Sequence, residues 1–369
     1  MKTISPGQLV WQRFRKNGLA FAGLLLIAVA VFVAVFCYVL IPDATPNANR
    51  MCLPVNNRPP GFTVNMLRIP SPAPEVDQSF FTQILLGKKD DYNFIPVDSA
   101  WCNNGTIQYK PYSDGSLQLP VKAFSPKGSS ANDYLKENLI SRTFWLGTDR
   151  YGRDMLSRLL AGTRVTFLVG LVAVIISLLV GVTLGGLAGY FRGNVDKIIL
   201  LLINVIWSVP TLLLVIAITL VLGKGFTQVF IAVGLTMWVD VARIVRSQLF
   251  SVRELDFVSA GRTMGFSDFR ILFRHMLPNV FGPVLVVAAS NFSTAILLEA
   301  GLSFLGIGAQ PPTPSWGAMI KENYGFIILP DSAFLAILPG LAIVLLTLAF
   351  TFVANGLRDA MDARKQLIG

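Results

Sequence analysis

The chain has 369 residues, of which 53% are hydrophobic and only 14% are charged, and its mean hydropathy is +0.59. This composition excludes an ordinary soluble domain and indicates a protein with several membrane spans. The net charge of +10 could suggest nucleic acid, but no module that would present a basic stripe to it is visible, so we expect membrane lipid and not nucleic acid as a partner.

Six long apolar runs divide the chain, and each can cross about 30 Å of hydrocarbon as a helix. A cleaved signal peptide is the alternative for the first run, but that run is too long for a signal core and no convincing cleavage site follows it. We predict an all-α polytopic membrane protein, with a first transmembrane helix at 19–41 and a five-helix core at 165–355. The apolar runs are 23–41, 165–190, 198–222, 229–244, 281–305 and 334–354.

Lysine and arginine in the short loops predict the orientation, because cytoplasmic loops carry an excess of both. With the N-terminus inside, the short external loops hold only Lys224 and Lys321. We therefore predict cytoplasmic termini at 1–18 and 356–369. The residues then placed in the cytoplasm are Lys2, Arg13, Arg15, Lys16, Arg192, Lys197, Arg243, Arg246, Arg253, Arg262, Arg270, Arg274, Arg358, Arg364 and Lys365.

About a hundred polar, proline-rich residues, 42–143, separate the first two spans, which is too many for an ordinary connection. We predict a small external α/β or β-containing insertion domain. The stretches TIQYKPY and SLQLPVKAF flank Asp114 and Gly115, which predicts a hairpin, although Pro111 and Pro120 favour edge strands. The domain could cap the mouth of a pathway, receive a binding protein or act as a spacer.

Two of the three cysteines, Cys52 and Cys102, lie in this insertion. An oxidising compartment permits a bridge between them, which would close a loop of about fifty residues and contribute roughly 3–4 kcal/mol in the chain-entropy model. The sequence favours neither a disulfide between Cys52 and Cys102 nor two free thiols. Cys37, in the first span, is expected to be an inert apolar residue. No metal site is expected, because the single histidine, His275, is predicted on the other side of the membrane.

The segment 144–164 follows the insertion. Asp154 is expected to cap a short helix over 155–160, which Gly162 is expected to end. Acid and base catalysis or metal binding by Asp149 and Asp154 are alternatives. Turn and cap chemistry explains the two carboxylates with fewer assumptions.

The second predicted span carries glycines four residues apart, at 181, 185 and 189. Small residues at that period let helices approach closely in lipid, so tight packing inside the bundle or against a partner is predicted. A proline interrupts the third span and frees a backbone carbonyl, which predicts a kink. The residues around it could form the wall of a transport pathway or only pack against other helices, and the sequence favours neither. The residues at this interruption are Asn204, Trp207, Ser208 and Pro210.

Only two ionisable residues, Asp240 and Glu299, lie deep within the predicted spans. Such residues are candidates for function, because burying them in lipid is costly. Asp240 is three residues before Arg243, which favours a local ion pair. Glu299 is expected inside the bundle, where it is a candidate pathway residue.

A polar, arginine-bearing stretch at 255–278 lies between two apolar runs and is called the polar segment below. The pattern predicts two short helices with a hinge. The first, over 256–263, is closed by Gly265, which can adopt a left-handed conformation without a Cβ clash. Ser267 is expected to cap the second and Pro278 to stop it. Phe269, Leu272, Phe273 and Met276 are predicted on one face of the second helix, and Arg270 and Arg274 on another.

Several of these stretches resemble one family, the permease subunits of dipeptide, oligopeptide and nickel ABC importers. The resemblance rests on WQRFRKNGLAFAGL, NVIWSVPTLLL, RILFRHMLPN and LLEAGLSFLGIGAQPPTPSWGAMI, and most specifically on a GTDxxGRD motif. It covers 1–42 and 144–364 and leaves the insertion unmatched, because the family members compared have a shorter connector. The motif residues are Gly147, Thr148, Asp149, Gly152, Arg153 and Asp154.

In that family the polar segment is the EAA loop, a cytoplasmic coupling helix that docks into a cleft on the ATPase subunit. This sequence has Ser259, Ala260 and Gly261 where the family has EAA, so the glutamate that can reach the ATPase is absent. The alternative is a surface connector with no docking role. The residues that the resemblance assigns to coupling are Asp256, Ser259, Ala260, Gly261, Arg262, Gly265, Arg270, Arg274 and Pro278.

The resemblance implies a permease that forms half of an import pathway for short peptides or nickel chelates in a bacterial inner membrane. Family members usually work with a second permease, two ATPases and an external solute-binding protein. The sequence shows no GxxxxGK[ST] phosphate loop, so this chain is expected to be no enzyme and to bind no cofactor, with ATP and Mg²⁺ held by the partner ATPase. The alternative is an ATP-independent secondary carrier or a receptor with an external sensing domain, although repeated halves and an output domain are not visible.

Overall fold

The computed structural model describes residues 6–70, 79–89, 92–113, 120–125, 130–223 and 225–362. The chain divides into two compact units. The helical unit comprises Met1–Val31, Val165–Gln310 and Gly340–Gly369, and the sheet unit comprises Phe32–Arg164 and Pro311–Pro339. The predictions that fall outside the described residues concern Lys2, Lys224, Arg364, Lys365 and the turn at Asp114 and Gly115.

Long apolar helices confirm the predicted all-α membrane fold. Thirteen α-helices are described: α1 (Pro6–Lys16), α2 (Gly18–Leu40), α3 (Phe80–Leu86), α4 (Ala131–Asn138), α5 (Met155–Phe191), α6 (Gly193–Trp207), α7 (Thr211–Leu222), α8 (Phe226–Arg253), α9 (Asp256–Thr263), α10 (Asp268–Arg270), α11 (Leu277–Leu305), α12 (Trp316–Asn323) and α13 (Phe334–Met361). Within the described ranges, five helical stretches are long and apolar enough to cross a membrane. The pair α6 and α7, bent by 91°, makes a sixth if it counts as one span.

The glycine ladder of α5, Gly181, Gly185 and Gly189, packs against α8. A Cβ added to Gly185 would lie 2.8 Å from the Cα of Ala242, and one added to Gly189 would lie 2.7 Å from the Cβ of Leu249. Real side chains do not approach so closely, so these positions require glycine. The predicted tight packing of this period is confirmed inside the bundle.

The helix α1 packs against the end of α13 in the helical unit. Phe14 and Ala20 form one buried cluster with Val353 and Ala360. Further along α2, a Cβ added to Gly23 would lie 2.7 Å from the carbonyl oxygen of Ala349 in α13. The first and last described helices therefore meet at one end of the bundle.

The insertion contains a five-stranded antiparallel sheet in the order β4-β3-β2-β1-β5, as the predicted β-containing domain requires. The strands are β1 (Phe62–Pro70), β2 (Tyr92–Asn103), β3 (Thr106–Pro111), β4 (Lys122–Phe124) and β5 (Leu139–Phe144). The predicted hairpin stretches pair as β3 and β4, with Gln108 opposite Ala123. The central β1 pairs with both neighbours, so that Asn65 lies opposite Val97 and Ser141.

Both faces of the sheet are covered, because side chains alternate along each strand. On one face Met66 lies in a buried cluster with Val64 and Phe144. On the other face Leu67 lies in a second cluster with Ile107. The insertion therefore has its own core.

The two cysteines of the insertion lie on opposite faces of this sheet. Cys52 belongs to the cluster around Met66, whereas Cys102 belongs to the cluster around Leu67. The sheet separates the two sulfur atoms, and both thiols are free. The bridge that the sequence left open is not formed in this structure.

We expect Cys52 to resist alkylation in the folded protein. Burial raises the pKa of its thiol to about 11, so the thiol is protonated at pH 8 and each pH unit toward 11 raises the reactive thiolate about tenfold. Iodoacetamide labelling followed by peptide mass spectrometry from pH 7 to 10 measures this dependence, and Cys102, which is only half-buried, serves as the internal comparison. Equal labelling rates, or a disulfide-linked peptide pair, would contradict the expectation.

Candidate functional site

The first half of the polar segment folds as predicted. The helix α9 has the bounds predicted for the first short helix. Gly265 has a φ of 76°, and its N–H donates to the carbonyl of Arg262 at 3.0 Å. The hydroxyl of Ser267 accepts from the N–H of Arg270 at 3.4 Å and caps α10. The hinge and the cap follow from local rules alone.

The prediction that Pro278 stops the second helix is wrong. A π-helical turn over Ile271–Met276 joins α10 to α11, and Pro278 lies in the first turn of α11. The N–H of Leu277 donates to the carbonyl five residues earlier, that of Leu272. The side-chain amide of Asn279 donates to the carbonyl of His275 at 2.6 Å. A proline is tolerated here because the widened turn and the asparagine satisfy neighbouring carbonyls.

The apolar face predicted for the second helix is divided between core and surface. Leu272 and Met276 are buried together with Ile271. Phe269 and Phe273 are 71% and 48% exposed, and their ring centroids lie 4.3 Å apart. The prediction of one common face was wrong because the π-helical turn changes the angular spacing of the side chains.

One contact joins the polar segment to the end of α5, and a second joins the end of α8 to it. The hydroxyl of Tyr190 donates to the carboxylate of Asp268. The guanidinium of Arg253 donates to the backbone carbonyl of Tyr190 at 2.5 Å. Beside them, Arg192 pairs with Glu254 at 2.6 Å. The sequence did not reveal these anchors, because their partners are about sixty or more residues apart.

One face of α9 packs on the bundle and the other is open. Val258 and Gly261 are buried, whereas Asp256, Ser259, Ala260 and Arg262 are exposed. The hydroxyl of Ser259 donates within the helix to the carbonyl of Asp256 at 2.8 Å. Ser259 and Ala260, in the middle of α9, therefore expose only small side chains.

Exposed apolar and cationic side chains also occur within α9 and in the residues that follow it. Met264 is 70% exposed and Phe257 is 42% exposed. The guanidinium of Arg270 lies 4.0 Å above the ring of Phe266, and Arg274 is exposed. Exposed apolar residues that cluster beside cations are typical of a protein interaction surface. The structure thus leaves the predicted coupling residues exposed, except the buried Gly261.

Gly265→Pro is expected to abolish transport without preventing membrane insertion. Proline is locked near φ −65°, so it cannot adopt the 76° of this hinge, and it removes the hydrogen bond to Arg262. Gly265→Asn is the matched control, because asparagine tolerates the left-handed region. Uptake assays on membranes with equal amounts of each variant measure the effect. Equal uptake by both variants would contradict the structural role of the hinge.

The predicted pathway residues mark the break between α6 and α7. Ser208 donates its N–H to the carbonyl of Asn204 at 3.0 Å, and Leu214 donates to the carbonyl of Pro210 at 3.1 Å. Asn204, Trp207, Ser208 and Pro210 are all exposed in the single chain. The predicted interruption of the helix is thus present as a bend of 91°.

The predicted ion pair between Asp240 and Arg243 is absent among the described contacts. The guanidinium of Arg243 lies 3.4 Å above the ring of Trp207, which is a cation–π contact, and its charge acts on Asp240 from beyond ion-pair distance. The carboxylate of Asp240 lines a cavity of about 70 Å³ at the helix break. Trp207 lies on the same cavity, and its other polar lining residues are Thr211, Thr236 and Thr294.

Glu299 lies inside the bundle, as predicted, with 1% of its surface exposed. The hydroxyl of Ser303 donates to its carboxylate at 2.7 Å and accepts from the N–H of Ala309 at 3.0 Å. This arrangement holds the chain where α11 ends at Gly306. Glu299 does not line the cavity at the helix break, so the predicted pathway residues do not form one site.

The GTDxxGRD motif lies in the sheet unit and forms a tight turn. Gly147 and Gly152 have φ values of 73° and 69°, which only glycine adopts without strain. The carboxylate of Asp149 accepts from the N–H groups of Tyr151 and Arg153 at 2.9 and 3.0 Å. The predicted turn chemistry explains this carboxylate.

Asp154 caps α5, as predicted. Its carboxylate accepts from the N–H of Ser157 at 3.0 Å and from the hydroxyl of the same residue. Burial raises the pKa of Asp154. The hydroxyl of Thr148 donates to the carbonyl of Val55 at 2.5 Å, so the motif also holds the start of the insertion.

A buried ion network extends the motif. Arg153 donates from Nε to Asp149 at 2.7 Å and from Nη2 to Glu322 at 2.6 Å. Its third nitrogen, Nη1, donates to the side chain of Asn49 at 3.2 Å. Arg158 lies 3.6 Å from Asp149 and 3.8 Å from Glu322. Two arginines and two carboxylates therefore balance in charge, which permits their burial.

The prediction that Gly162 ends the helix of this segment is wrong, since α5 continues to Phe191. A Cβ at Gly162 would lie 2.6 Å from the indole of Trp316. The indole N–H of Trp316 donates to the carbonyl of Leu159 at 2.9 Å. Glycine is thus required for the close approach of a tryptophan and not for a helix end.

These features define a multi-span helical membrane protein with an exposed polar loop, the class to which transport permeases belong. The chain belongs to the family described as "Binding-protein-dependent transport system inner membrane component", whose family model matches residues 181–367. A second model, "N-terminal TM domain of oligopeptide transport permease C", matches residues 5–60. The protein is therefore a multi-pass inner-membrane permease, as the sequence resemblance predicted.

Similar proteins carry peptide transport names. The chain is 30% identical to the dipeptide transport system permease protein DppC of Lactococcus lactis, over 97% of this chain and 90% of the relative. It is 36% identical to the oligopeptide transport system permease protein OppC of Bacillus subtilis, over 67% of this chain and 82% of the relative. It is 40% identical to the glutathione transport system permease protein GsiD of Pectobacterium atrosepticum, over 61% of this chain and 74% of the relative.

The expectation that the insertion is unmatched is wrong for the Lactococcus lactis relative, whereas the alignment with the Pectobacterium atrosepticum relative covers only 61% of this chain. The alignment with the Lactococcus lactis relative covers 357 residues, or 97% of this chain. An insertion of about a hundred residues therefore cannot lie wholly outside the alignment. The sequence resemblance missed this because it was drawn from motifs in the membrane core, and the insertion carries none of them.

Proposed function

We propose that this permease forms half of the translocation pathway of an ATP-driven importer of short peptides. The observation that carries the proposal is the polar segment. Its helix α9 is fixed to the bundle on one side through Val258 and Gly261 and leaves the small side chain of Ala260 exposed on the other. Such a surface suits docking into a cleft of a partner protein, which in this family is an ATPase.

The continuous helix after the hinge supports the coupling role. The π-helical turn joins α10 directly to α11, so Asp268–Leu305 is one long helical stretch. A displacement of the polar segment would therefore be passed to α11, which packs along α8 through buried residues such as Val284 and Val245. In this proposal, ATP-driven closure of two partner ATPases moves these helices, and ATP and Mg²⁺ bind to the partners.

Charge and packing together support a cytoplasmic location for the two ends of the chain. If α6 and α7 count as one span, the polar segment, the turn at Arg192 and the described residues 6–16 and 356–362 lie on one side of the membrane. The pair of Arg192 with Glu254 and the cluster of Phe14 with Ala360 agree with this arrangement. Since this side carries most of the arginines, we propose that it is cytoplasmic and that the insertion 42–143 is external.

The proposed partners are a second, homologous permease, two ABC ATPase subunits and an external solute-binding protein. Short peptides are the proposed cargo, because relatives are named for dipeptides, oligopeptides and glutathione; nickel chelates are the second cargo class. We propose that Trp207 and Asp240, which line the cavity at the helix break, form part of the pathway wall. Polar residues at this point lie where an apolar helix is interrupted.

Purification of the chain from its native membrane in mild detergent tests the proposal. We expect mass spectrometry to find two further kinds of subunit, a second permease and an ATPase, and we expect the complex to hydrolyse ATP. Vesicles that contain the complex are expected to accumulate labelled dialanine only with ATP and the binding protein. A chain that purifies alone, without ATPase activity, would overturn the proposal and favour an ATP-independent carrier or a receptor.

A further inference from the structure

The short helix α3 of the insertion exposes an apolar surface. Phe80 and Phe81 are 68% and 75% exposed, and Leu85 and Leu86 are 56% and 64% exposed. No residue of this helix is buried. Four large apolar side chains within one helix of seven residues are costly in water, so this surface requires a partner.

The position of α3 is fixed by a contact with Arg164 of α5 and by a backbone contact with the segment that follows α2. The guanidinium of Arg164 donates to the carbonyl of Ile84 in α3 at 3.3 Å. The same guanidinium lies 5.4 Å from the ring centre of Tyr38 near the end of α2. After α3, the N–H of Lys88 donates to the carbonyl of Ala44 at 2.8 Å. All these contacts lie within the sheet unit.

These contacts place α3 at the boundary of the hydrocarbon. Arg164 is the last charged residue before an uncharged stretch that extends to Phe191, and α2 carries no charge up to Leu40. Tyrosine and arginine are typical of the membrane–water interface, where their apolar parts face lipid and their polar ends face water. The helix bonded to Arg164 therefore lies at the same depth as the point where both spans leave the membrane.

We propose that α3 is an interfacial helix that inserts Phe80, Phe81, Leu85 and Leu86 into the adjacent lipid leaflet. The helix itself carries no charged residue, as insertion of its apolar surface requires. Lys88 and Lys89 follow it after Gly87 and are exposed, and cations beside an interfacial helix suit anionic lipid headgroups. The lipid leaflet thus holds the insertion domain at the membrane surface through α3.

Photo-crosslinking in the native membrane tests this proposal. We would place benzoylphenylalanine at position 81 or 85 of the full chain and, as the control, at the exposed Asn104 in the turn between β2 and β3. Phospholipid adducts, seen as a mass increase of the labelled peptide, are expected at 81 and 85 and not at 104. A cross-link from 81 to another protein chain, or no lipid adduct at 81, would overturn the proposal.

Thiol labelling gives a second and independent measurement. In a Cys102→Ser background, Phe81→Cys is expected to react with a membrane-impermeant maleimide about tenfold more slowly than Asn104→Cys, because insertion into lipid raises the pKa of a thiol and excludes the reagent. Both positions are exposed on the chain itself, so neither substitution disturbs a core. Equal rates at the two positions would overturn the proposal, whether or not the importer function holds.

Discussion

Replacing Ala260 by arginine is expected to reduce ATP-driven uptake about a hundredfold, within the range of coupling free energies between sites. The side chain of Ala260 is exposed, so the substitution leaves the bundle core unchanged. A long cation would project from the middle of the open face of α9, whose other side is fixed by the buried Val258. The arginine would hold a docked partner away from this face. Uptake of labelled dialanine into vesicles, per inserted chain, measures the effect.

The control is Ala123→Arg, which makes the same chemical change at an exposed position of β4. It is expected to transport at the normal rate. Both variants should reach the membrane in normal amounts and elute as single species. Normal uptake by a well-inserted Ala260→Arg chain would contradict the docking model. Equal loss in both variants would instead indicate a general effect of the added charge.

Replacing Arg153 by methionine is expected to cost about 3–5 kcal/mol of the free energy of unfolding of the sheet unit. The side chain of Arg153 is 2% exposed and pairs with Asp149 and Glu322 at 2.7 and 2.6 Å. Removal of this cation leaves two carboxylates with only the more distant Arg158. A change of this size should lower the apparent unfolding temperature in detergent by about ten degrees.

Arg150→Met serves as the control for this loss of charge. Arg150 belongs to the same turn but is exposed, so its replacement should change the free energy of unfolding by less than about 0.5 kcal/mol. Intrinsic fluorescence during heating compares the two variants in the same detergent. If Arg153→Met unfolds at the same temperature as Arg150→Met, the buried network does not stabilise the sheet unit.

The features that the sequence predicted correctly depend either on residues close together in the chain or on hydropathy averaged over many residues. The bounds of α9 and the hinge at Gly265 follow from capping rules that act within a few residues. The membrane spans follow from hydropathy averaged over about 20 residues. The burial of Glu299 was predictable because a carboxylate in a span avoids lipid.

The features that the sequence missed depend on distant partners. Gly162 looked like a helix end because its true neighbour, Trp316, lies more than 150 residues away. Pro278 looked like a stop because a π-helical turn has no recognisable pattern in one sequence. The order of the sheet strands, and hence the separation of Cys52 from Cys102, required the pairing of β1 with both β2 and β5.

The candidate pathway was predicted less well than the polar segment. Trp207 was predicted from the break in its helix, but its contact with Arg243 crosses from α6 to α8 and cannot be read from spacing. An ion pair between Asp240 and Arg243 was predicted because both lie on one helix, and pairs within a helix are the only ones that spacing in a sequence reveals. Thr294, on the same cavity, carried no signal at all.

The glycine ladder of α5 sets a limit on how such permeases can be recombined. At Gly185 the backbone of α8 lies so close that an added Cβ would be 2.8 Å from the Cα of Ala242. A chimera that receives α5 alone from a relative with larger residues on this face would therefore clash with backbone, which cannot rotate away as a side chain can. Exchange of cargo specificity between relatives should succeed only when α5 and α8 are transplanted as a pair.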